Sequence, residues 1–190
     1  MSEAPRPLTV TVEREVDPET AARYYKLYHD TFSALQVKAV ARQLLHEEEF
    51  FDEMSDPRVH KYVAWDDDGE AIGLSTLTRH LETVPWISPQ YFAYHFPEHT
   101  ARNAVYYLGF TLVVPHRRKS RIFQAMIERV VERLVSERAI CAWDICSHND
   151  MTLSLQDNIE RLLYRRADVT VAPIDRQTYY AGTFRGPAVD

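Results

Sequence analysis

The sequence has little glycine, and none where a phosphate-binding loop would need it. Five glycines occur in 190 residues, and none lies between Thr111 and Ala181. Glycine-rich phosphate loops depend on small residues that let the backbone approach the phosphate, so this region holds no such loop of the usual kind. The Gly-x-Ser-x-Gly turn of serine esterases is also absent, and nothing in the sequence predicts that chemistry.

Cysteine and long apolar runs are scarce as well, and the 22 basic residues are outnumbered by 28 acidic ones. Cys141 and Cys146 are the two cysteines, and on one predicted strand they would point to opposite faces, where they could not pair. The sequence shows no signal-peptide core and no stretch that approaches a membrane span, so we expect a cytoplasmic protein without a membrane partner. A net charge of −6 provides little counterion release, so we expect no nucleic-acid partner.

The eight histidines form no recognisable metal motif. His95 and His99 have the spacing of two ligands on one helix, but Pro97 lies between them and the sequence shows no third ligand. His46 begins a His-Glu-Glu-Glu run rather than His-Glu-x-x-His. We therefore predict no metal site.

Apolar periodicity predicts a single α+β domain over 1–190, with a loose N-terminal arm at 1–7. The first predicted elements are a strand, two helices, a hairpin around Asp68-Gly69, and an aromatic insert with one short helix, at 8–16, 18–54, 59–80 and 81–103. A central strand, a helix, a strand, a helix and two strands follow, at 104–115, 121–139, 139–148, 150–167, 169–175 and 177–184. A strand–helix–strand unit after a hairpin predicts a mixed, mostly antiparallel sheet.

The stretch VVPHRRKSRIF at 113–123 is strongly basic and joins the central strand to the clearest helix. Its basic side chains near the helix start are Arg117, Arg118, Lys119 and Arg121. Cations at a helix N-terminus oppose the helix dipole, so this arrangement costs stability unless an anion binds there. The stretch favours a phosphate site held by side chains, and the alternative is a solvated, charged helix start.

The order of elements resembles the GNAT superfamily, the Gcn5-related N-acyltransferases, over almost the whole chain. Val113, Pro115 and Arg118 match the motif V-x-P-x-x-R-x-x-G-x-G/A, whereas Arg121 and Phe123 replace its two glycines. The resemblance implies a twisted, mixed sheet flanked by helices, and coenzyme A held at the helix start. The residues that it assigns to acetyl-CoA or a longer acyl-CoA are Leu112, Val113, Val114, Arg117, Arg118, Lys119, Ser120, Arg121, Ile122, Phe123 and, for the pantetheine arm, Asn149.

Catalytic candidates come from the last two predicted elements before the C-terminal strands. The segment 158–164 resembles the family pattern N-x-x-A-x-x-L-Y, with its asparagine one residue closer than usual, which implies that Tyr164 protonates the leaving thiolate. The central strand has no acid or histidine to act as a base. Asp144 and His148 share one face of the predicted strand 139–148 and are the candidate bases, unless the amine arrives neutral.

The aromatic insert is predicted to cover an acceptor or acyl pocket through Trp86, Tyr91, Phe92 and Tyr94, or alternatively to pack into the core. The segment 47–77 weakly resembles the acyl-homoserine-lactone synthases. This resemblance implies that the acyl chain could be longer than acetyl. The resemblance implies an N-acyltransferase that acts on a small-molecule or peptide amine. The alternatives are a non-catalytic GNAT-like module that binds a ligand or protein, and an enzyme that uses an acyl carrier protein. The C-terminal strands could pair across a homodimer.

Overall fold

A computed structural model describes residues 8–41, 44–114 and 121–186. The strands are β1 (Thr9–Glu13), β2 (Val59–Trp65), β3 (Ala71–Thr78), β4 (Val105–Val113) and β5 (Ile140–Ala142). The helices are α1 (Pro18–Phe32), α2 (Glu47–Ser55), α3 (Pro89–His95), α4 (Pro97–Ala101), α5 (Ile122–Ser136), α6 (Ser147–Leu153) and α7 (Leu155–Tyr164). Short 3-10 turns occupy Ser33–Val37 and Leu81–Thr83.

The sheet runs in chain order, β1-β2-β3-β4-β5, and every pair is antiparallel except β4 with β5. The hairpin between β2 and β3 turns where the sequence predicts it. Gly69 has a φ of +79°, which suits glycine, and the Asp66 carboxylate accepts hydrogen bonds from the N–H groups of Asp68 (3.0 Å) and Glu70 (2.9 Å). The predicted α+β class and mixed, mostly antiparallel sheet are confirmed.

Each face of the sheet is covered by helices. On one face, α1 and α2 bury an aromatic cluster in which Tyr28 and Phe50 contact Phe110 of β4. On the other face, α5 packs Ile122, Met126 and Val130 onto the strands, following its apolar periodicity. Strand β4 therefore lies in the middle of the core, with α1 and α2 packed on one of its faces and α5 on the other.

Three predicted elements before residue 168 differ from the structure. The insert has two short helices rather than one, because Pro97 starts a new helix directly after α3. The strand predicted at 139–148 ends at Ala142, so Cys146 precedes α6 instead of sharing a strand with Cys141. The helix predicted at 150–167 is divided between α6 and α7 by Ser154, whose φ is +47°. Both cysteines are free thiols.

The two C-terminal strands predicted at 169–175 and 177–184 are absent from the described residues. This segment is mostly exposed and pairs with no described strand, although the Tyr91 hydroxyl donates to the Ile174 carbonyl (2.9 Å). Alternation of apolar and polar residues indicates a strand only where a neighbouring strand supplies the ladder. The described part of the chain offers this segment no such pairing.

Candidate functional site

Strands β4 and β5 separate in the middle of the sheet. β5 pairs with β4 only at Val105, Tyr106 and Tyr107, and then ends at Ala142. The rest of β4, residues 108–113, keeps β3 on one side and has no described strand on the other. Residues 108–111 are also partly exposed. We call residues 108–113 the open edge, since their backbone is available on one side to an extended ligand.

A β-bulge interrupts β4 at the start of the open edge. Leu77 pairs with Leu108 and Ser75 with Thr111, so Thr76 alone faces both Gly109 and Phe110. The Phe110 N–H donates to the Thr76 hydroxyl oxygen at 3.4 Å. A Cβ atom at Gly109 would lie 2.5 Å from that oxygen, closer than real Cβ contacts come. Glycine therefore permits the close approach of the two strands at the bulge.

Charged side chains lie beneath the bulge on the α2 face. Glu53 of α2 places Oε1 3.8 Å from the position of a Gly109 Cβ and is hydrogen-bonded to the Thr76 hydroxyl. Burial raises the pKa of Glu53, and the Thr76 hydrogen bond opposes that rise. Lys61 is fully buried beside it and donates to the carbonyls of Arg14 (2.8 Å) and Asp56 (2.7 Å).

A second polar group lies two residues earlier on β4. The Tyr107 hydroxyl donates to Asp144, and it accepts from the Trp86 indole N–H at 3.1 Å. Burial, together with the Asp144 carboxylate, raises the pKa of Tyr107. The structure thus brings the predicted residues Asp144 and Trp86 together at the point where β5 leaves β4.

Comparison with known proteins shows what this arrangement is similar to. No family model and no curated protein matches the sequence. An aminoglycoside acetyltransferase from an uncultured soil metagenomic sample, in complex with sisomicin, superposes with a TM-score of 0.56 at 11% identity, over 93% of this chain and 97% of that chain. A ribosomal-protein-alanine N-acetyltransferase from Brucella melitensis superposes with a TM-score of 0.53 at 11% identity, over 93% and 100% of the two chains. An aminoglycoside N-acetyltransferase in complex with CoA gives 0.50 at 14% identity, over 92% and 99%.

This chain has a GNAT fold. The predicted resemblance in architecture is confirmed, and the identities are low enough that the likeness establishes the fold alone. In this GNAT fold, the strand that opens away from its neighbour is β4, and the helix that follows it is α5. The residues of the predicted cofactor site can therefore be located on these two elements.

At the start of α5, the backbone N–H groups of the first turn find no acceptor among the described residues. Phe123 packs with Val113 and Ile122 in the core cluster beneath the sheet, so its side chain does not cover the helix N-terminus. The N–H groups of the first helical turn have no acceptor within the helix, and Arg121 is exposed immediately before it. Leu112 is also buried, and Val114 donates its N–H to the Ile72 carbonyl (3.0 Å). Arg117, Arg118, Lys119 and Ser120 lie outside the described residues.

The other predicted catalytic residues are spread over α6 and α7. His148 and Asn149 are half-buried in α6, so the prediction that His148 shares a strand face with Asp144 is wrong. The strand ends early because Asp144 bonds to Tyr107 and the Trp143 indole donates to Gln156 (3.2 Å), which directs the chain away from β4. Tyr164 ends α7 with 53% of its surface exposed, and no described residue hydrogen-bonds to its hydroxyl.

The insert aromatics have different environments. Phe92 is buried against Val105 and Tyr107, Tyr91 is half-buried, and Trp86 and Tyr94 are 50% and 81% exposed. A cavity of about 320 Å³ separates the end of β3 from α3 and α4, and one of about 420 Å³ lies between α1 and the start of α2. Neither cavity is lined by the open edge, which we consider the more informative feature because it exposes backbone rather than an enclosed space.

No described helix combines the length and the apolar character that crossing a bilayer requires. Within the same residues, no three histidine, cysteine, aspartate or glutamate side chains come together as metal ligands.

Proposed function

We propose that this protein is an acyl-CoA-dependent N-acyltransferase that moves an acyl group from a thioester to an amine. The open edge of β4 in a GNAT fold carries the proposal, because it offers a line of backbone groups directly above a cluster of acid–base side chains. The structural neighbours named as acetyltransferases, one of them in complex with CoA, support the same reaction class.

In this proposal the acyl-CoA binds from the open edge to the start of α5. The pantetheine arm lies along residues 108–113 as an added strand, with Asn149 as a further hydrogen-bond donor. The pyrophosphate meets the free N–H groups and positive dipole end of α5. The basic residues Arg117, Arg118, Lys119 and Arg121 add side-chain contacts in place of the absent glycines, and Ser120 adds a hydroxyl.

The acyl transfer itself then needs three groups. Backbone N–H groups of the open edge hydrogen-bond to the thioester oxygen as it gains negative charge. The neutral amine attacks the carbonyl carbon, the C–N bond forms, and the C–S bond breaks with its electrons on sulfur. Tyr164 protonates the thiolate, while Asp144 or His148 accepts the proton of the amine. Alternatively, an amine that arrives neutral loses this proton to solvent after the attack, with no residue acting as base.

The acceptor binds between the insert and the α1–α2 face in this proposal. Trp86 and Tyr94 expose aromatic surface there, and the Trp86 ring contacts Tyr107 at a centroid distance of 6.3 Å. Tyr91 lines the same region, whereas Phe92 supports it from the core. The acceptor class is a small-molecule or peptide amine, and the acyl group is acetyl or longer.

Calorimetry with CoA, acetyl-CoA and a long-chain acyl-CoA tests the donor site. We expect micromolar binding that is lost in the Arg118→Ala, Arg121→Ala double variant, because each arginine contacts phosphate. The matched control is Arg161→Ala with Arg176→Ala, which removes the same charge from two exposed positions away from α5. Wild-type protein that binds none of the three compounds contradicts the proposal.

An acyl carrier protein is the second candidate donor, because the basic run at 117–121 suits an acidic partner surface. Binding of an acylated carrier protein that weakens steeply with salt, without binding of free acyl-CoA, would favour it. Binding of acyl-CoA without transfer to any amine would instead favour the non-catalytic module. The homodimer remains a prediction that the molar mass in solution checks, and the cytoplasmic location remains one as well.

A further inference from the structure

Glu53 occupies a position that a structural carboxylate rarely takes. It lies on α2, yet its Oε1 reaches the backbone of β4 at the bulge, 3.8 Å from the position of a Gly109 Cβ. The Thr76 hydroxyl oxygen lies 2.5 Å from that Cβ position, so this hydroxyl and the Glu53 carboxylate together line the α2 side of the bulge. A group entering along the open edge from the α2 face would therefore meet the Glu53 carboxylate at the bulge.

The charged neighbours of Glu53 do not neutralise it by direct pairing. Lys61 faces it from β2, but the Lys61 ammonium donates to the carbonyls of Arg14 and Asp56, and no described cation forms an ion pair with Glu53. Asp56, at the end of α2, adds a like charge. Structural carboxylates removed from water are normally paired, because an unpaired charge there is costly. Among the described residues, the hydrogen-bond partner of Glu53 is the neutral Thr76 hydroxyl.

The Thr76 hydroxyl connects Glu53 to the reaction strand. Its oxygen accepts from the Phe110 N–H at 3.4 Å, and its proton is directed to the Glu53 carboxylate. This contact holds the Glu53 carboxylate beside the bulge. Burial raises the pKa of Glu53, which moves it toward the neutral range where a general base works best.

We propose that Glu53 is the general base that accepts the proton of the acceptor amine, an assignment that rests on the acyltransfer function proposed above. The ammonium form of the acceptor transfers one proton to Glu53, and the neutral nitrogen attacks the thioester carbon. The C–N bond forms, the C–S bond breaks with its electrons on sulfur, and the nitrogen gives its second proton to solvent. The thiolate takes a proton from Tyr164, which solvent reprotonates, or directly from water. Glu53 then releases its proton to solvent. Asp144 is less available for this role because it already accepts from Tyr107.

The test compares Glu53→Gln with Glu48→Gln, an exposed residue of the same helix that undergoes the same change of charge. Transfer from acetyl-CoA to sisomicin and to a peptide with an N-terminal alanine is measured across pH 5–9. We expect Glu53→Gln to lower kcat by about 10² to 10⁴-fold, to leave acetyl-CoA binding unchanged, and to lose the acidic inflection of the pH profile. An unchanged kcat and profile would overturn the assignment.

A second measurement does not depend on the acceptor. In protein labelled with ¹³C at the glutamate carboxyl, the signal that disappears in Glu53→Gln identifies Glu53. We expect this signal to titrate above the usual glutamate range and to shift when acetyl-CoA is added. A titration in the usual range, in protein that binds acetyl-CoA, overturns Glu53 alone. Wild-type protein that binds no acyl-CoA overturns the acyltransfer function as well, so the two failures are distinguishable.

Discussion

Replacing Gly109 with alanine tests the geometry of the β4 bulge directly. The new Cβ atom would lie 2.5 Å from the Thr76 hydroxyl oxygen and 3.8 Å from Glu53 Oε1. Thr76 is buried on the central strand β3, so it cannot move toward solvent to avoid the contact. Either Thr76 rotates and loses its hydrogen bonds to Phe110 and Glu53, or the two strands separate at the bulge.

The cost of this substitution has three parts. Overpacking in a well-packed core costs about 1–3 kcal/mol. Loss of the Thr76 hydrogen bonds adds about 1 kcal/mol. The smaller conformational entropy of alanine in the unfolded chain returns about 0.4–1 kcal/mol. We therefore expect the Gly109→Ala variant to be less stable by roughly 1–4 kcal/mol in the free energy of unfolding.

Urea unfolding at pH 7 measures this free energy, and a double-mutant cycle with Thr76→Ala isolates the contact. Thr76→Ala removes the clashing hydroxyl, so the double variant should be more stable than the sum of the two single changes predicts, by at least about 1 kcal/mol. Gly182→Ala is the control, because its Cβ would meet Phe184 at an ordinary 3.7 Å. A Gly109→Ala variant as stable as wild type, or a cycle without coupling, would refute the bulge geometry.

The remaining predictions concern a buried histidine and two tyrosines. Burial lowers the pKa of His60 to about 4 and nearby arginines add to the effect, so the unfolded chain binds a proton between pH 6.5 and 4 that the folded chain does not. Stability should fall by up to about 3 kcal/mol as the pH drops through that window, and urea unfolding of His60→Gln should show a flatter dependence on pH. Tyr107→Phe leaves Asp144 and Trp86 without their shared partner and should cost about 0.5–1.5 kcal/mol, because both partners are exposed and regain hydrogen bonds from water; an unchanged free energy of unfolding contradicts the hydrogen bonds described. Tyr164→Phe should lower kcat with little effect on thermal stability, because its hydroxyl bonds to no described residue, and an unchanged kcat removes Tyr164 from the mechanism.

Local patterns in the sequence predicted most of the fold as far as α5. Alternation in 59–80 and the Asp68-Gly69 pair identify a hairpin whose two strands are adjacent in sequence, so the pairing needs no distant information. The four-residue spacing of the apolar residues in α5 likewise predicts which face of this helix is buried. The prediction fails after Ala142, where the end of β5 depends on Asp144 reaching Tyr107 and on Trp143 reaching Gln156. Such contacts join residues that are not neighbours in the sequence, so the local alternation of apolar and polar residues cannot predict them.

Some features of the candidate site could likewise be predicted from the sequence, and others could not. Glu53 belongs to the acid-rich run of α2, which local patterning treats as a solvated face, although it stands three residues after Phe50 and directly before Met54, which are both fully buried. Lys61 is a second signal, because it stands among the apolar residues of the strand VHKYVAW, and a buried lysine requires acceptors nearby. The bulge has no comparable signal. It follows from the register between β3 and β4, and only that register places Glu53 beside Gly109 rather than one residue away on the opposite face of the sheet.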